Sequence, residues 1–218
     1  MFSRHSHLLL LFALSVVSLC SMAQTAAPTY GLSLLREGDL FFCVSAADNN
    51  ITRVTHGLHG ARIDHVGIVH RSADSLLVLE AVHQGVVLTP IDSFLKRRDT
   101  LVFASRLRDT TGVHRSVQRA LRYVGRPYDF FFMPDDSAMY CSELVQKSYI
   151  DAQGRQLFPP IPMSFHDDSG QITPYWRDYY GRHGLAVPEG APGSNPGQLS
   201  RSPLLEVVFD FRPPLVEE

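Results

Sequence analysis

From residue 38 to residue 104 the chain is a succession of short apolar segments broken by turn residues, and that spacing limits the fold more than any other feature. Residues 38–45 (Gly-Asp-Leu-Phe-Phe-Cys-Val-Ser) read as a buried strand opened by a turn glycine. Arg62 to His70 alternates as a strand does, Arg71-Ser72-Ala73-Asp74 is turn-like, and Ser75 to Val82 reads as the next strand. His83-Gln84-Gly85 turns into the strand Val86-Val87-Leu88. Ile91 to Leu95 with Lys96 to Arg98 reads as a short helix, Leu101 to Ala104 as a strand, and Leu204 to Phe211 as a final one.

Residues 112–125 have the clearest helical period, with Val113, Val117, Ala120, Leu121 and Val124 on one face, Thr111 as N-cap and Gly125 as the stop. After the loop from Pro127 to Ser137 a second helix is expected to start near Tyr140, carry Leu144, Val145 and Tyr149 inward, and end about Ala152. Residues 50–60 are polar, a short helix or loop. Residues 159–203 are dense in Pro, Gly, Tyr and Trp with little periodicity. They read as a loop or lid walling an apolar ligand, or equally as a tail wrapped on the surface. The fold class is α+β, a mostly antiparallel sheet packed against helices.

With 218 residues, 44% hydrophobic and 19% charged, the chain has apolar surface enough for one domain with its own core. A net charge of -2 provides no basic field for nucleic acid or an anionic membrane. Residues 1–23 read as a secretory signal peptide. Arg4 lies in a short polar start, Leu8 to Cys20 is an apolar run, and Ser21-Met22-Ala23 are small residues of the kind a signal peptidase reads. The run is thirteen residues, short of the roughly 20 that cross a bilayer. The mature chain would then begin at Gln24 as a single domain, 24–218, periplasmic or secreted. A lipoprotein acylated at Cys20 is the alternative, against which Leu19 occupies a place normally given to a small residue. Cys43 and Cys141 are left, too few for a disulfide scaffold, as one disulfide or as two thiols.

If His70 faces Ser75 across the turn at 71–74, Glu80 lies directly opposite His65 on the same face, where a carboxylate can hold one imidazole nitrogen. A one-residue slip would separate them. Cys141 falls at the expected start of the second helix. There, unpaired N–H groups and the positive end of the dipole favour a thiolate and can hold an oxyanion. Cys43 sits within Leu40-Phe41-Phe42 and reads as core. Nucleophile, base and orienting carboxylate thus occur in the order His, Glu, Cys.

Four segments in that order carry a resemblance: Glu37-Gly38-Asp39-Leu40-Phe41, Asp64-His65-Val66-Gly67-Ile68-Val69, Leu79-Glu80-Ala81-Val82 and Tyr140-Cys141-Ser142-Glu143-Leu144-Val145. They resemble the permuted papain-like amidase family, the YaeF/YiiX group of the NlpC-like superfamily. Thr89-Pro90-Ile91 and Gly125-Arg126-Pro127-Tyr128-Asp129 fit its connecting segments, so the likeness runs from about residue 34 to 152. The resemblance implies a circularly permuted papain-like fold and a thiol hydrolase of amides or esters. Cys141 would be the nucleophile, with its backbone N–H in the oxyanion hole, His65 the base and Glu80 the residue that orients it. Tyr128 and Tyr140 would be substrate or oxyanion contacts, or aromatic packing. Asp64 takes a place where relatives often carry Ser; alternation sends it to the opposite face, and it is assigned no role.

No cofactor is expected. The substrate class is a cell-wall peptide, a lipopeptide or an N-acyl amino acid, with peripheral membrane or cell-wall association as a further expectation. Three rival readings stand beside this one. A zinc site could draw on His56, His59, His65, His70 and His83 with Asp64 and Glu80, although His65 and His70 alternate to opposite faces. The others are a lipid acyltransferase or phospholipase on the same fold, and a non-catalytic lipid- or peptide-binding module.

Overall fold

The computed structural model describes residues 29–45, 49–73, 75–97 and 100–211; the expected signal peptide and Cys20 lie outside the described residues. In chain order the elements are β1 (Leu40–Val44), β2 (His65–Ser72), β3 (Ser75–Val82), β4 (Gly85–Pro90), α1 (Ile91–Arg97), β5 (Thr100–Leu107), α2 (Val113–Leu121) and α3 (Cys141–Ser148). After them come β6 (Ile161–Pro162), α4 (Pro174–Arg182), β7 (Pro192–Gly193), α5 (Pro196–Ser200) and β8 (Leu205–Asp210).

Six strands form one sheet in the order β4-β3-β2-β1-β5-β8, every neighbouring pair antiparallel. This is the α+β architecture expected from the sequence. β1 lies inside the sheet, and Leu40, Phe41, Phe42 and Cys43 are all fully buried. A strand covered on both faces needs a continuous apolar run, and β1 has one. Leu40, Phe42, Val66, Ile68, Leu79 and Ala81 pack on one side against Val117 and Ala120 of α2 and Leu144 and Val145 of α3. Phe41, Cys43, Val69, Val78 and Ala104 pack on the other around Phe94 of α1.

Several boundaries differ from the sequence expectation for definite reasons. α2 is capped by Gly112, not Thr111, whose hydroxyl donates to Asp109 instead (2.7 Å). The cap position has no room for a side chain, since a Cβ on Gly112 would sit 2.0 Å from the Ile150 carbonyl oxygen. The helix stops at Leu121 and leaves Val124 exposed, because the chain coils through tight turns to Gly125, whose N–H donates to Val86. α3 ends at Ser148 rather than near Ala152. Tyr149 leaves the helix to donate its hydroxyl to the Gly38 carbonyl (2.7 Å), and the Ile150 N–H turns to Ser116 (3.0 Å). β5 runs on to Leu107, past the polar Ser105-Arg106, since Arg106 is tied to the buried Asp39 by two 2.8 Å bonds.

Residues 159–203 are not a plain loop. They contain α4, α5 and the two-stranded ladder β6–β7. Met163, Phe165, Trp176 and Tyr180 close with Tyr140 into a separate apolar cluster over the start of α3.

Candidate active site

His65 opens β2 and Glu80 sits near the end of β3. Their pairing is diagonal rather than directly opposite. Ser72 faces Ser75 and Ile68 faces Leu79, so the hairpin is two residues tighter than the expected register. Because strand faces repeat every two residues, an even shift keeps both side chains on one side. His65 Nε2 lies 2.7 Å from Glu80 Oε2, with the imidazole 6% and the carboxylate 0% exposed. The other carboxylate oxygen accepts the Thr89 hydroxyl (2.7 Å) and a guanidinium N–H of Arg97. Burial alone would push the Glu80 carboxyl up. The bond to His65 and its charge, then Arg97 and Thr89, outweigh that and hold it at about 2. With Nε2–H given to an ionised carboxylate, Nδ1 is the ring position able to accept a proton.

Gly67 makes the diagonal contact feasible. A Cβ there would lie 2.5 Å from Val78 Cγ1 and 3.7 Å from Glu80 Cβ, so any side chain would wedge β3 away from β2 beside the carboxylate. Gly67→Ala is therefore expected to cost about 1–3 kcal/mol of stability and at least roughly tenfold in turnover, since small misplacements of catalytic groups are costly. Thermal melts and steady-state kinetics on one preparation check both.

Cys141 is the first residue of α3, preceded by Tyr140 in extended backbone (φ -103, ψ 169). The first N–H groups of a helix have no acceptor one turn back, so that of Cys141 is available to an oxygen in front of the thiol. Cys141 and Cys43 are both buried and neither is in a disulfide among the described residues; Cys43 lies across from His65 in the β1–β2 ladder. Cys141 Sγ lies 4.0 Å from the backbone oxygen of Asp64, one residue before the imidazole. Two turns of buried chemistry follow along the helix. Glu143 accepts the Tyr140 N–H (3.4 Å) and Lys147 (2.7 Å), and burial, only partly offset by Lys147, pushes its carboxyl up to about 7.

Cys141 opens into a narrow cleft of about 50 Å³, and His65 into an adjoining depression of about 330 Å³. Ile51, Asp64 and Tyr128 line both. Tyr140 also lines the thiol cleft. Its hydroxyl, pushed up by burial, accepts the Ser194 N–H (3.0 Å), and its ring packs edge-on against Phe132. Both tyrosines named from sequence therefore stand in the cleft wall. The roof is formed by residues of the 159–203 segment. Trp176 of α4 lines the cleft, and Ser194 is tied across the helix start by its hydroxyl to Ser142 (3.0 Å), next to the Gln146–Gly193 bond (3.0 Å).

Asp64, immediately before β2, is buried and lines both depressions. The histidines weighed for zinc are dispersed: His56 pairs with Asp168 (2.8 Å), His70 with Glu37 (2.9 Å), and His83 packs on Phe130.

Residues 34–209 match the family described as "Permuted papain-like amidase enzyme, YaeF/YiiX, C92 family". The chain belongs to the C92 family. It is thus a thiol hydrolase of the cysteine amidase/peptidase class on a permuted papain-like fold. A C92 relative, the "Uncharacterized protein YiiX" of Escherichia coli (strain K12), is 29% identical over 154 residues, covering 67% of this chain and 73% of its own. The crystal structure titled "metalloprotein yiiX from Escherichia coli O157:H7, DUF1105" superposes with a TM-score of 0.67 at 25% identity, covering 80% of this chain and 97% of that one.

Proposed function

We propose that this C92 enzyme cleaves an amide bond through an acyl-enzyme on Cys141, with His65 as base and Glu80 as the residue that orients it. The observation that carries the reading is the buried 2.7 Å His65–Glu80 pair, set one residue from the carbonyl that packs on the Cys141 sulfur. His65 takes the thiol proton at Nδ1 while Nε2–H stays on Glu80. The sulfur bonds to the substrate carbonyl carbon, and the oxyanion is held by the Cys141 N–H at the start of α3. Collapse breaks the C–N bond, and the amine leaves with the proton from His65. Water then gives its proton to His65, attacks the thioester, and releases the acid as the thiol is restored.

The E. coli neighbour's title calls it a metalloprotein. A bound metal needs about three or more converging donors, and among the described residues no such group of His, Cys, Asp or Glu exists. His65 Nε2 is committed to Glu80, whose second oxygen is committed to Thr89 and Arg97. These residues do not fit a metal, and no step of the reaction is routed through one.

The apolar lining of the thiol cleft (Ile51, Val54, Phe132, Met163, Phe165) favours an acyl group of apolar character, as in a lipopeptide, an N-acyl amino acid or a cell-wall peptide. The features of residues 1–23 support export. A panel of amides and esters, analysed for products in water and with an added amine or alcohol, tests the reading. Free acid as the main product supports hydrolysis; transfer to the added nucleophile in preference to water would make the enzyme an acyltransferase.

A further inference from the structure

We propose that the leaving half of the substrate is an amine bearing an aromatic ring, bound in the His65 depression against the exposed ring of Phe130. This rests on the thiol-hydrolase reading above and narrows its substrate.

The reaction assigns each half of the substrate to a side. The sulfur bonds to the acyl carbon, and Cys141 lines the thiol cleft. The leaving nitrogen takes its proton from His65, which lines the adjoining depression and not the cleft. The acyl half therefore belongs to the cleft and the amine half to the depression. At about 330 Å³ the depression is the size of a small-ligand site.

Phe130 lines this depression and is 41% exposed. A single exposed apolar side chain is ordinary, but this one stands in a row of rings beside the catalytic base. Tyr128 packs edge-on against it at 5.0 Å between centroids and His83 at 5.2 Å, and both line the same depression. The backbone beneath is fixed from two directions. The buried Asp129 carboxylate accepts the N–H groups of Phe131 (2.8 Å) and Met133 (2.6 Å), and Tyr179 of α4 donates its hydroxyl to the Phe130 carbonyl (3.1 Å). A ring held in this way loses little freedom when a ligand covers it. Ala81 and Val82 of β3 add apolar lining. An aromatic ring on the leaving amine would bury the open part of Phe130 and gain an edge-on or offset contact with it. A leaving amine without a side chain would gain neither.

The leaving-group site can be read in reverse, by an amine that captures the acyl-enzyme. The amine nitrogen bonds to the thioester carbonyl carbon, the C–S bond breaks, and the amine proton passes through His65 to the sulfur. The full protein is acylated with a p-nitrophenyl ester in mildly alkaline buffer, and the free acid and the new amide are measured with phenylalaninamide or glycinamide present. The ratio of amide to acid does not depend on how much of the enzyme is active. In the wild type, phenylalaninamide is expected to give the same ratio as glycinamide at about tenfold lower concentration or less. Phe130→Ala should bring the two amines to near equality, and Phe130→Tyr should keep the preference. Equal capture in the wild type, or a preference unchanged in Phe130→Ala, overturns the proposal.

A binding measurement separates this from failure of the hydrolase reading. Titrated calorimetrically into Cys141→Ala, phenylalaninamide should bind about tenfold more tightly than glycinamide, and adding Phe130→Ala should remove the difference. Equal binding overturns the proposal whether or not an acyl-enzyme forms. A binding difference that depends on Phe130, in a protein that forms no acyl-enzyme, supports the aromatic site and places the failure in the thiol chemistry.

Discussion

Cys141→Ala is expected to lose amide turnover by about 10⁴-fold or more, because removing the nucleophile of a catalytic set leaves only binding and oxyanion stabilisation. The fold should tolerate the change. The thiol is 5% exposed at the edge of the larger core cluster, and losing one sulfur atom there costs about 1 kcal/mol. Cys43→Ala is the matched control. It removes an equally buried thiol facing His65 across the ladder, and turnover should persist at a substantial level. A parallel loss in both variants would point to general damage; loss in Cys141→Ala alone identifies the nucleophile.

Glu80→Gln should lower kcat by about 10²- to 10⁴-fold with KM little changed, because the amide no longer fixes the ring tautomer or stabilises the imidazolium. The same substitution has a stability signature whose sign follows from linkage. The folded carboxyl is held at about 2, below its ordinary 4.5. It therefore contributes stability that is fully present above pH 4.5 and is lost as pH falls toward 2. The displacement corresponds to something on the order of 3 kcal/mol. In urea titrations the wild type should exceed Glu80→Gln by about that much near pH 6, and the two curves should converge as pH falls from 4.5 toward 2. A gap that stays constant across this range would mean that the carboxylate's charge is not what stabilises the fold.

Most of the sheet was legible because strand-length apolar segments separated by turns leave few topologies, and the His, Glu, Cys order came with motif context. The register of the β2–β3 hairpin was not. Nothing local distinguishes a four-residue turn at 71–74 from the tighter one in which Ser72 faces Ser75 and Ala73 takes a left-handed φ of 47°. The His65–Glu80 contact survived because the error was an even number of residues. Thr89 and Arg97, which complete the shell around Glu80, come from β4 and α1 and become neighbours only through tertiary packing. The helices in residues 159–203 did leave local signals. Thr173-Pro174 and Asn195-Pro196 each place proline at a first helical position after a capping residue, and Trp176 and Tyr180 have i,i+4 spacing. The surrounding density of Pro and Gly obscured them.

The central claim is covalent catalysis at Cys141 assisted by His65, and trapping the acyl-enzyme tests it most directly. A p-nitrophenyl ester, quenched at early times and followed by intact mass and peptide mapping, should add one acyl group per chain. The label should lie on the peptide containing Cys141, be absent from Cys141→Ala, and form far more slowly in His65→Ala. Acylation mapped to Cys43 or to another side chain, or label forming at an undiminished rate in His65→Ala, would contradict the account.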